Sequence, residues 1–332
     1  MAQGAMTTMG VGGSTPATFA YDKRRLDRLV NSFYFMGFGE EKTLPGGMGA
    51  SISFRRFNNL SAATTPLNEG VTPAGSAISK ADLTATVYQY GDFVTYTDWI
   101  DMVGVDGKVV KIIDDLQVDQ IADTFDQLIR DIISANGTIR YADGSSVVET
   151  ATVPTTADFE YIINYMERRN VKYIKEKVLP GVQVGTKGGL DPAYIAFTHP
   201  DLRSTYEAMT GFVKVSEYPA GAKVLDGEFG QFKRVKFVAT TNAKVVLGAG
   251  ASGTSFRNTA SAYDVYYTTV IGAKAYGNVR LQGGSVKTII KPLGYKDELD
   301  QQGSVGWKMA FGGLVLDSNR VHNIVSTTPI LA

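Results

Sequence analysis

Few residues of this chain are of the types that carry out chemistry. It has 332 residues, no cysteine and two histidines, His199 and His322. Without cysteine there is no disulfide, no thiolate nucleophile and no zinc site built on sulfur. His199 precedes Pro200 at a predicted helix start, where its ring would serve the unpaired backbone amides, and His322 lies among strand-like residues without a nearby candidate partner. The sequence therefore predicts no catalytic residue, no cofactor site and no metal site, and we expect a protein that is not an enzyme.

Two glycine-containing segments resemble nucleotide-binding loops only superficially. Gly185-Thr186-Lys187 follows Gly181, but a phosphate loop needs four residues between its glycines and a lysine directly after the second. The run GAGASG at 248–253 lacks the preceding strand and following helix of a dinucleotide site. Both segments are therefore interpreted as turns or flexible loops.

Aspartates recur along the longest predicted helix, on the face opposite its apolar stripe: Asp114, Asp115, Asp119, Asp123 and Asp126. Asp115, Asp119 and Asp123 share one face because they are spaced four residues apart. A single straight helix cannot surround a hard cation with six or more oxygens, so a solvated face is favoured over a metal site. A third interpretation is an acidic face that repels a polyanion.

Charged residues also cluster around a predicted pair of strands. Arg55 and Arg56 lie on the first strand, and Glu69, Lys80 and Asp82 lie on the other side of the connection. One interpretation is a solvated edge strand that charge protects from aggregation. The other is a set of salt bridges between subunits, since the arginine fork suits interfaces. An isopeptide cross-link through Lys80 would need a buried Lys–Asn–Glu arrangement, for which the sequence gives no signature.

Composition narrows the function classes. Basic and acidic residues balance at 33 each, which argues against a protein that grips nucleic acid through an overall basic field. No apolar run approaches the ~20 residues of a membrane helix. The first ten residues have neither the basic flank nor the apolar segment of a secretory signal. The length suggests roughly two domains, and the remaining classes are structural and binding proteins.

Apolar periodicity predicts an α+β fold, mainly antiparallel, with three helices. The longest helix is expected over about 108–136, ending at Asn136-Gly137, and at ~1.5 Å per residue it would be roughly 40 Å long. The second begins at a capping box, Thr155 to Asp158, and is expected to end at Pro180-Gly181. The third is expected from Pro200 to about Met209. A short helix at 22–38 and a hairpin around Asp143-Gly144 are also predicted. Strands are predicted at 51–57, 85–97, 193–197, 235–239, 262–271 and 308–316.

The stretch 48–97 does not fit a compact domain. About 25 residues with little periodicity separate its two predicted strands, which is long for a connection inside a globule. We therefore expect a long hairpin arm that leaves the globule. Such an arm cannot bury its apolar side chains on its own chain, so a neighbouring subunit would have to cover them.

Several phrases, in order along the chain, are similar to those of one protein family. The first, Leu67 to Pro73, matches the phrase L-x-E-G-x-x-P. The others are YGD at 90–92 with TD at 97–98, TFD at 124–126 through Arg130, GT at 137–138, YA at 141–142, GEFG at 227–230, Gly272 with AYG at 275–277, and GSVGWK at 303–308. Each phrase alone is weak. The ordered set resembles the major capsid proteins of tailed bacteriophages, in the branch typified by the phage N-four coat protein.

The resemblance implies a Hong-Kong-97-type phage capsid fold with defined parts. These are an N-terminal arm at 1–46, an extended E-loop hairpin at 47–97, a P domain at 98–154 and 304–332 with its spine helix at about 108–136, and an A domain at 155–303. In this fold the E-loop reaches over a neighbouring subunit. The resemblance thus agrees with the residue-level reading at its two unusual features, the arm and the long helix.

The function implied is that of a major capsid protein, which self-assembles into the icosahedral shell around the double-stranded DNA genome. The expected partners are copies of the chain in hexamers and pentamers, a separate scaffolding protein (since only about 40 residues precede the arm), a portal, decoration proteins where present, and non-specifically contacted DNA; no membrane is expected. The expected location is the virion, with assembly in the cytoplasm of the host bacterium.

Two groups of site residues follow from these expectations. Intersubunit contacts of the E-loop are predicted at Arg55, Arg56, Glu69, Lys80 and Asp82. A lumen-facing acidic spine is predicted at Asp115, Asp119 and Asp123. The alternative function is a secreted or cell-surface structural protein that forms filaments or layers, which should carry a secretory signal.

Overall fold

The structure is a computed structural model that describes residues 34–47, 49–66, 69–70, 72, 74–103, 109–174, 193–218, 224–284, 286–294, 299 and 301–330. The α-helices within these ranges are α1 (Asp98–Val103), α2 (Val109–Asn136), α3 (Thr156–Arg168) and α4 (Arg203–Glu207). The strands are β1 (Glu40–Leu44), β2 (Ser51–Phe57), β3 (Lys80–Thr86), β4 (Tyr88–Thr97), β5 (Thr138–Tyr141), β6 (Tyr194–Thr198), β7 (Phe212–Lys214), β8 (Glu228–Phe232), β9 (Val235–Ala239), β10 (Val245–Val246), β11 (Asn258–Thr259), β12 (Ala262–Tyr263), β13 (Val265–Ile271), β14 (Tyr276–Leu281), β15 (Lys287–Lys291), β16 (Gln302–Val315) and β17 (Val321–Ser326). The predicted mixture of helix and antiparallel strand is confirmed.

The first sheet is organised around β16, a strand of 14 residues. β4 pairs antiparallel along one edge of β16, while β14 and β15 pair with successive parts of its other edge. β1 extends the sheet by pairing parallel with β14. The last residues of the predicted N-terminal arm are therefore part of a sheet.

The long helix α2 lies on one face of this sheet. Its 28 residues span about 42 Å at ~1.5 Å per residue, as the sequence predicted. Every second residue of β16 faces it: the Gln117 amide donates to the Val305 carbonyl at 2.8 Å, and the Trp307 indole donates to the Gln120 side chain at 3.0 Å. Farther along, Phe125 and Phe311 pack edge to face, with ring centroids 5.0 Å apart. Helix and sheet are thus joined by polar and aromatic contacts along their length.

The second sheet has the strand order β5-β17-β13-β6-β9-β8-β7, with β10 also paired to β13. The helices α3 and α4 cover one side of it, and between them lies a fully buried cluster in which Phe159 contacts both Tyr206 and Phe237. The predicted capping box is present, since the Thr155 amide donates to the Asp158 carboxylate at 3.0 Å. This sheet and its helices thus enclose one of the buried apolar clusters of the described chain.

Three local predictions are wrong, each for a physical reason. The second helix ends at Arg168 rather than near Pro180, because Asn170 takes a left-handed conformation with φ 53°. The segments beside Asp143-Gly144 form no hairpin: β5 pairs parallel with β17 instead, and 147–149 is a 3-10 turn. The predicted strand 85–97 is divided at Val87, whose amide donates to the Ala50 carbonyl at 2.7 Å.

Other predictions hold in outline or lie elsewhere. Strands at 51–57 and 235–239 have the predicted bounds, and the third helix consists of a 3-10 turn at Pro200–Leu202 followed by α4. The predicted helix at 22–38 and the phosphate-loop-like segment at 181–187 fall mostly or wholly outside the described residues.

The hydrogen-bonded sheets do not follow the domain boundaries expected from the resemblance. β14 and β15 belong to the segment expected as the A domain, yet they pair with β16. Conversely, β5 and β17 belong to the segments expected as the P domain, yet they join the second sheet. Each sheet therefore takes strands from both sides of the expected boundaries at 154 and 303.

Candidate assembly surfaces

The arm, which we define as residues 51–86, is a two-stranded ribbon. β2 and β3 pair antiparallel, from Ser51 opposite Thr86 to Phe57 opposite Lys80. The partner strand is thus 80–86 rather than the predicted 85–97. Alternation in β2 turns Ile52 and Phe54 toward a small apolar cluster at the base of the arm, formed with Leu44, Ala85, Val87 and Val279. The base of the arm is therefore anchored on the first sheet.

Beyond its base the arm has little to pack against. All described residues from 57 to 80 are exposed. They include large apolar side chains: Phe57 is 61% exposed, Leu60 is 59% exposed and Ile78 is 75% exposed. Exposed apolar residues grouped on one projecting element are typical of a surface that another molecule covers.

The charged residues predicted as intersubunit contacts lie on this arm. The Arg55 guanidinium donates to the Asp82 carboxylate at 2.8 Å, and the Lys80 ammonium lies 3.5 Å from the same group. The hydrogen bond from Arg55 lowers the pKa of Asp82 below its usual value. Arg56 instead reaches Asp317, 3.0 Å away, in the connection between β16 and β17. Within one chain, therefore, four of the five predicted residues already have partners, and Glu69 is exposed in the loop.

The aspartates of α2 do not all share one environment. Asp115, Asp119 and Asp123 are partly exposed, and Asp123 accepts a hydrogen bond of 2.6 Å from the Gln127 amide. Asp126, predicted on the same acidic face, is only 1% exposed, so that part of the prediction is wrong. The sequence did contain the signal, since Asp126 stands three and seven residues before Ile129 and Ile133, on the apolar stripe.

The buried Asp126 carboxylate joins three parts of the chain. One of its oxygens accepts hydrogen bonds from the backbone amides of Tyr34, at 3.1 Å, and Phe35, at 2.8 Å. The other accepts from the Asn242 side chain at 3.2 Å. Burial raises the pKa of Asp126, and the hydrogen bonds oppose that rise. The carboxylate therefore holds the segment before β1 and the loop after β9 against α2.

The segment before β1 is also held from its other side. The Tyr276 hydroxyl donates to the Phe35 carbonyl, and the Asn278 amide donates to the Met36 carbonyl at 3.2 Å. Phe35 itself is 1% exposed and packs against Phe197, with ring centroids 4.5 Å apart. The chain entering the first sheet is thus fixed by both backbone and side-chain contacts.

The two histidines have structural environments. The His199 ring accepts a hydrogen bond from the Asp201 amide at 3.3 Å, so the predicted cap is confirmed. His322 is 1% exposed within β17 and packs edge to face on Tyr165, with ring centroids 4.7 Å apart. Burial lowers the pKa of His322 to about 4. In the described part of the chain, no group of three or more potential metal ligands is found.

Solved structures share this fold over almost its full length. The capsid of Ralstonia phage GP4 matches with a TM-score of 0.68 at 14% identity, covering 98% of this chain and 99% of that one. The capsid asymmetric unit of cyanophage Pam1 matches with a TM-score of 0.65 at 10% identity, covering 100% of both chains. The capsid of cyanophage P-SCSP1u matches with a TM-score of 0.62 at 16% identity, covering 94% of this chain and 92% of that one.

Comparison of the amino-acid sequence with protein families and curated proteins identifies no relative. No known protein-family profile matches the chain, and no curated protein sequence matches it. The likeness to phage capsids is therefore one of fold, and the predicted phage capsid fold is confirmed. Nothing in these likenesses favours the alternative of a secreted filament-forming or layer-forming protein. Among the described helices, none is both long and apolar enough to cross a membrane.

The Asp126 contacts predict a large effect of truncation. Asp126→Ala leaves two backbone amides and one side-chain amide without their acceptor in a buried place, which should lower the free energy of unfolding by about 3 kcal/mol or more. Asp114→Ala, a change at a partly exposed position of the same helix, should alter it by less than about 0.5 kcal/mol. Urea denaturation of the unassembled protein measures both. Equal values for the two variants would contradict the role given to Asp126.

The environment of His322 predicts a pH dependence. Its folded-state pKa of about 4 lies below the ordinary value of 6.5, so between these values the unfolded chain binds the proton and the folded chain does not. The free energy of unfolding should therefore fall with decreasing pH, by about 2.5 kcal/mol at pH 4.5 from this group. His322→Phe removes this contribution and keeps an aromatic ring against Tyr165. Stability curves of the two proteins that run parallel from pH 7 to 4.5 would rule the effect out.

Proposed function

We propose that this chain is the major capsid protein of a tailed bacteriophage. Copies of it associate into hexamers and pentamers, and these build the icosahedral shell that encloses the double-stranded DNA genome. The observation that carries the proposal is the fold match to phage capsids over 94% or more of the chain. The exposed apolar arm supports it independently, because only another molecule can cover those side chains.

The proposed work of the protein is contact between its own copies. The arm of one copy lies on the next and buries Phe57, Leu60 and Ile78, which are exposed in the single chain. Obligate interfaces of this kind bury roughly 2,000–5,000 Å². Burial of apolar surface contributes about 25 cal/mol per Å² to the free energy of association. The free energy cost of ordering the arm reduces this gain.

The subdomains are part of the same proposal. The arm lies within the E-loop at 47–97, and α2 is the spine helix of a P domain at 98–154 and 304–332. Residues 155–303 form the A domain, and 1–46 is the N-terminal arm. The A domains meet at the centre of each hexamer or pentamer. Because each sheet takes strands from both expected domains, the two domains are joined by strand pairing as well as by chain connections.

The proposed partners and location follow from this role. A separate scaffolding protein directs assembly, a portal occupies one vertex, decoration proteins bind where present, and DNA is contacted non-specifically. The mature location is the virion, after assembly in the cytoplasm of the bacterial host. The aspartates Asp115, Asp119 and Asp123 face the lumen, where their charge prevents the genome from sticking to the shell.

Shortening the arm tests the proposed role directly. Replacing residues 61–76 by a short glycine-serine turn keeps β2 and β3, so the protein should fold with unchanged stability. It should form no closed particles in electron micrographs, because the surface that ties neighbours is lost. Normal shells from this variant would refute the role of the arm.

Two point substitutions test the same surface of the arm without a deletion, and a substitution elsewhere on the molecule serves as their control. Leu60→Ser together with Ile78→Ser removes apolar surface from the arm and should raise the protein concentration needed for assembly about tenfold or more. Val148→Ser changes a side chain that is 70% exposed elsewhere on the molecule, and should assemble as the parent does. Sedimentation of assembled against unassembled protein measures the difference.

The acidic spine of Asp115, Asp119 and Asp123 gives a separate prediction about how much nucleic acid the shells retain. Replacing Asp115, Asp119 and Asp123 by Asn removes three negative charges and keeps the side-chain shapes, so shells should still form. If these residues face the lumen, the shells should retain more nucleic acid, measured by the ratio of absorbance at 260 and 280 nm after nuclease treatment. The same substitution at Asp131, which is 55% exposed near the other end of α2, is the single-site comparison. An unchanged ratio in the triple variant would place the aspartates away from the genome.

A further inference from the structure

Across β4, β15 and β16, the face of the first sheet opposite α2 carries lysines and no carboxylate. Residues that pair across neighbouring strands share a face. Alternate residues of β16 on this face therefore lie between their β4 partners Gln89, Gly91, Phe93 and Thr95 on one edge and their β15 partners on the other. The charged residues of this basic face are Lys287, Lys291 and Lys308, and β1, at the edge of the sheet, adds Lys42 and Glu40 to the same side. Asp92, the acidic residue of β4, is on the other face, where the Gln120 amide donates to it at 2.7 Å.

Two of these lysines are placed directly opposite each other. Lys287 of β15 pairs in register with Lys308 of β16, and both are exposed. Like charges at such a position destabilise a sheet, because their β-carbons are about 5 Å apart. On its other side Lys308 pairs with Gly91, which has no side chain. A β-carbon at Gly91 would lie 3.3 Å from that of Lys308 and 2.5 Å from the Trp307 carbonyl, so no acidic residue can replace it there.

The lysine pair borders a groove at the base of the arm. The groove has a volume of about 370 Å³ and is lined by Val87, Leu281 and Ala310 together with Lys287 and Lys308. Apolar walls next to two positive charges form a site that fits a chain segment with apolar residues and one carboxylate. Such an occupant would neutralise the repulsion that the sheet carries when the groove is empty.

The chain itself contains a segment of this chemistry. Between Asn58 and Ser79 the only charged residue is Glu69, and this loop is flanked by the exposed Leu60 and Ile78. We propose that the groove beside Lys287 and Lys308 receives the arm loop of a second copy, with the Glu69 carboxylate between the two ammonium groups. This rests on the proposed function, which requires the arm to contact a neighbour but leaves open where on that neighbour it lies.

A charge reversal tests the groove without damaging the fold. Lys287→Glu converts the like-charged pair into an attractive one within the chain, so the variant should unfold at the same or a higher temperature. Because Lys308 is then neutralised and Glu69 is repelled, the critical concentration for assembly should rise about tenfold or more. Adding Glu69→Lys to Lys287→Glu should restore part of the loss. Lys111→Glu, an exposed charge reversal on α2 at the other face, should assemble normally.

The absence of native cysteine allows a direct test of proximity. In the variant with Glu69→Cys and Lys308→Cys, an oxidised disulfide between copies gives covalent multimers on a non-reducing gel, whereas one within a chain gives monomer. We expect multimers from the double variant, and at most a dimer from either single variant.

The outcomes separate this inference from the function on which it rests. If the parent protein forms no particles either alone or with a scaffolding protein, the proposed function fails and the inference with it. If the parent forms particles and Lys287→Glu assembles equally well, the inference alone is overturned. An assembly defect in Lys287→Glu without multimers from the cysteine pair would mean another acidic occupant, such as nucleic acid or a different part of the neighbour, and overturns the place given to Glu69.

Discussion

A two-stranded ribbon that projects from a sheet cannot bury its own apolar side chains, and this constraint governs the account of the protein. The ribbon of β2 and β3 is anchored at its base by Ile52 and Phe54, but every described residue from Phe57 to Lys80 is exposed. Isolated ribbons are marginal in water without a further layer. The missing layer has to come from another molecule, and in the proposed function it comes from copies of the same chain.

The ribbon is connected to the rest of the molecule by strand pairing and by contacts with α2. β4 continues directly from the arm and pairs with β16 over ten residues, so the arm is anchored to the central strand of the first sheet. The helix α2 braces the same strand through Gln117, Gln120 and Phe125. Asp126 then ties the chain entering β1 to this helix and to the loop after β9. The arm is thus connected through β4 and β16 to α2, and through Asp126 to the segment before β1.

The charges of the chain balance in total but are unevenly distributed over the molecule. The 33 basic and 33 acidic residues cancel in total, yet they are segregated: aspartates lie along α2 and lysines lie on the opposite face of the same sheet. A subunit that meets copies of itself gains specificity from such a distribution without a net charge that would repel its neighbours.

The sequence predicted the features that depend on local patterns. Apolar periodicity located α2, the capping box located the start of α3, and β-branched and aromatic residues located β2. The sequence-based prediction failed where the structure depends on pairing between residues that are far apart in the chain. Nothing local to Asp143-Gly144 indicates that β5 pairs with a strand about 180 residues later, and nothing near Val87 shows that its amide bonds to Ala50 and divides the predicted strand.

Whether candidate site residues could be predicted to contact one another also depended on pairing between distant parts of the chain. Arg55, Lys80 and Asp82 could be named from their types but not paired, since the register of the arm was unknown. The run of aspartates predicts a solvated position for Asp126, whereas its spacing from Ile129 and Ile133 places it on the buried apolar stripe. The lysine pair at 287 and 308 has no sequence signal at all, because it exists only through the register of β15 on β16.

The most direct test of the central claim is electron microscopy of the purified parent protein, expressed alone and with a scaffolding protein, and reconstructed where particles form. We expect closed polyhedral shells in which the arm of each copy lies on its neighbour and the exposed residues Phe57, Leu60 and Ile78 are covered. Filaments, flat layers or small discrete particles under both conditions, or shells in which the arm touches no other copy, would contradict the account.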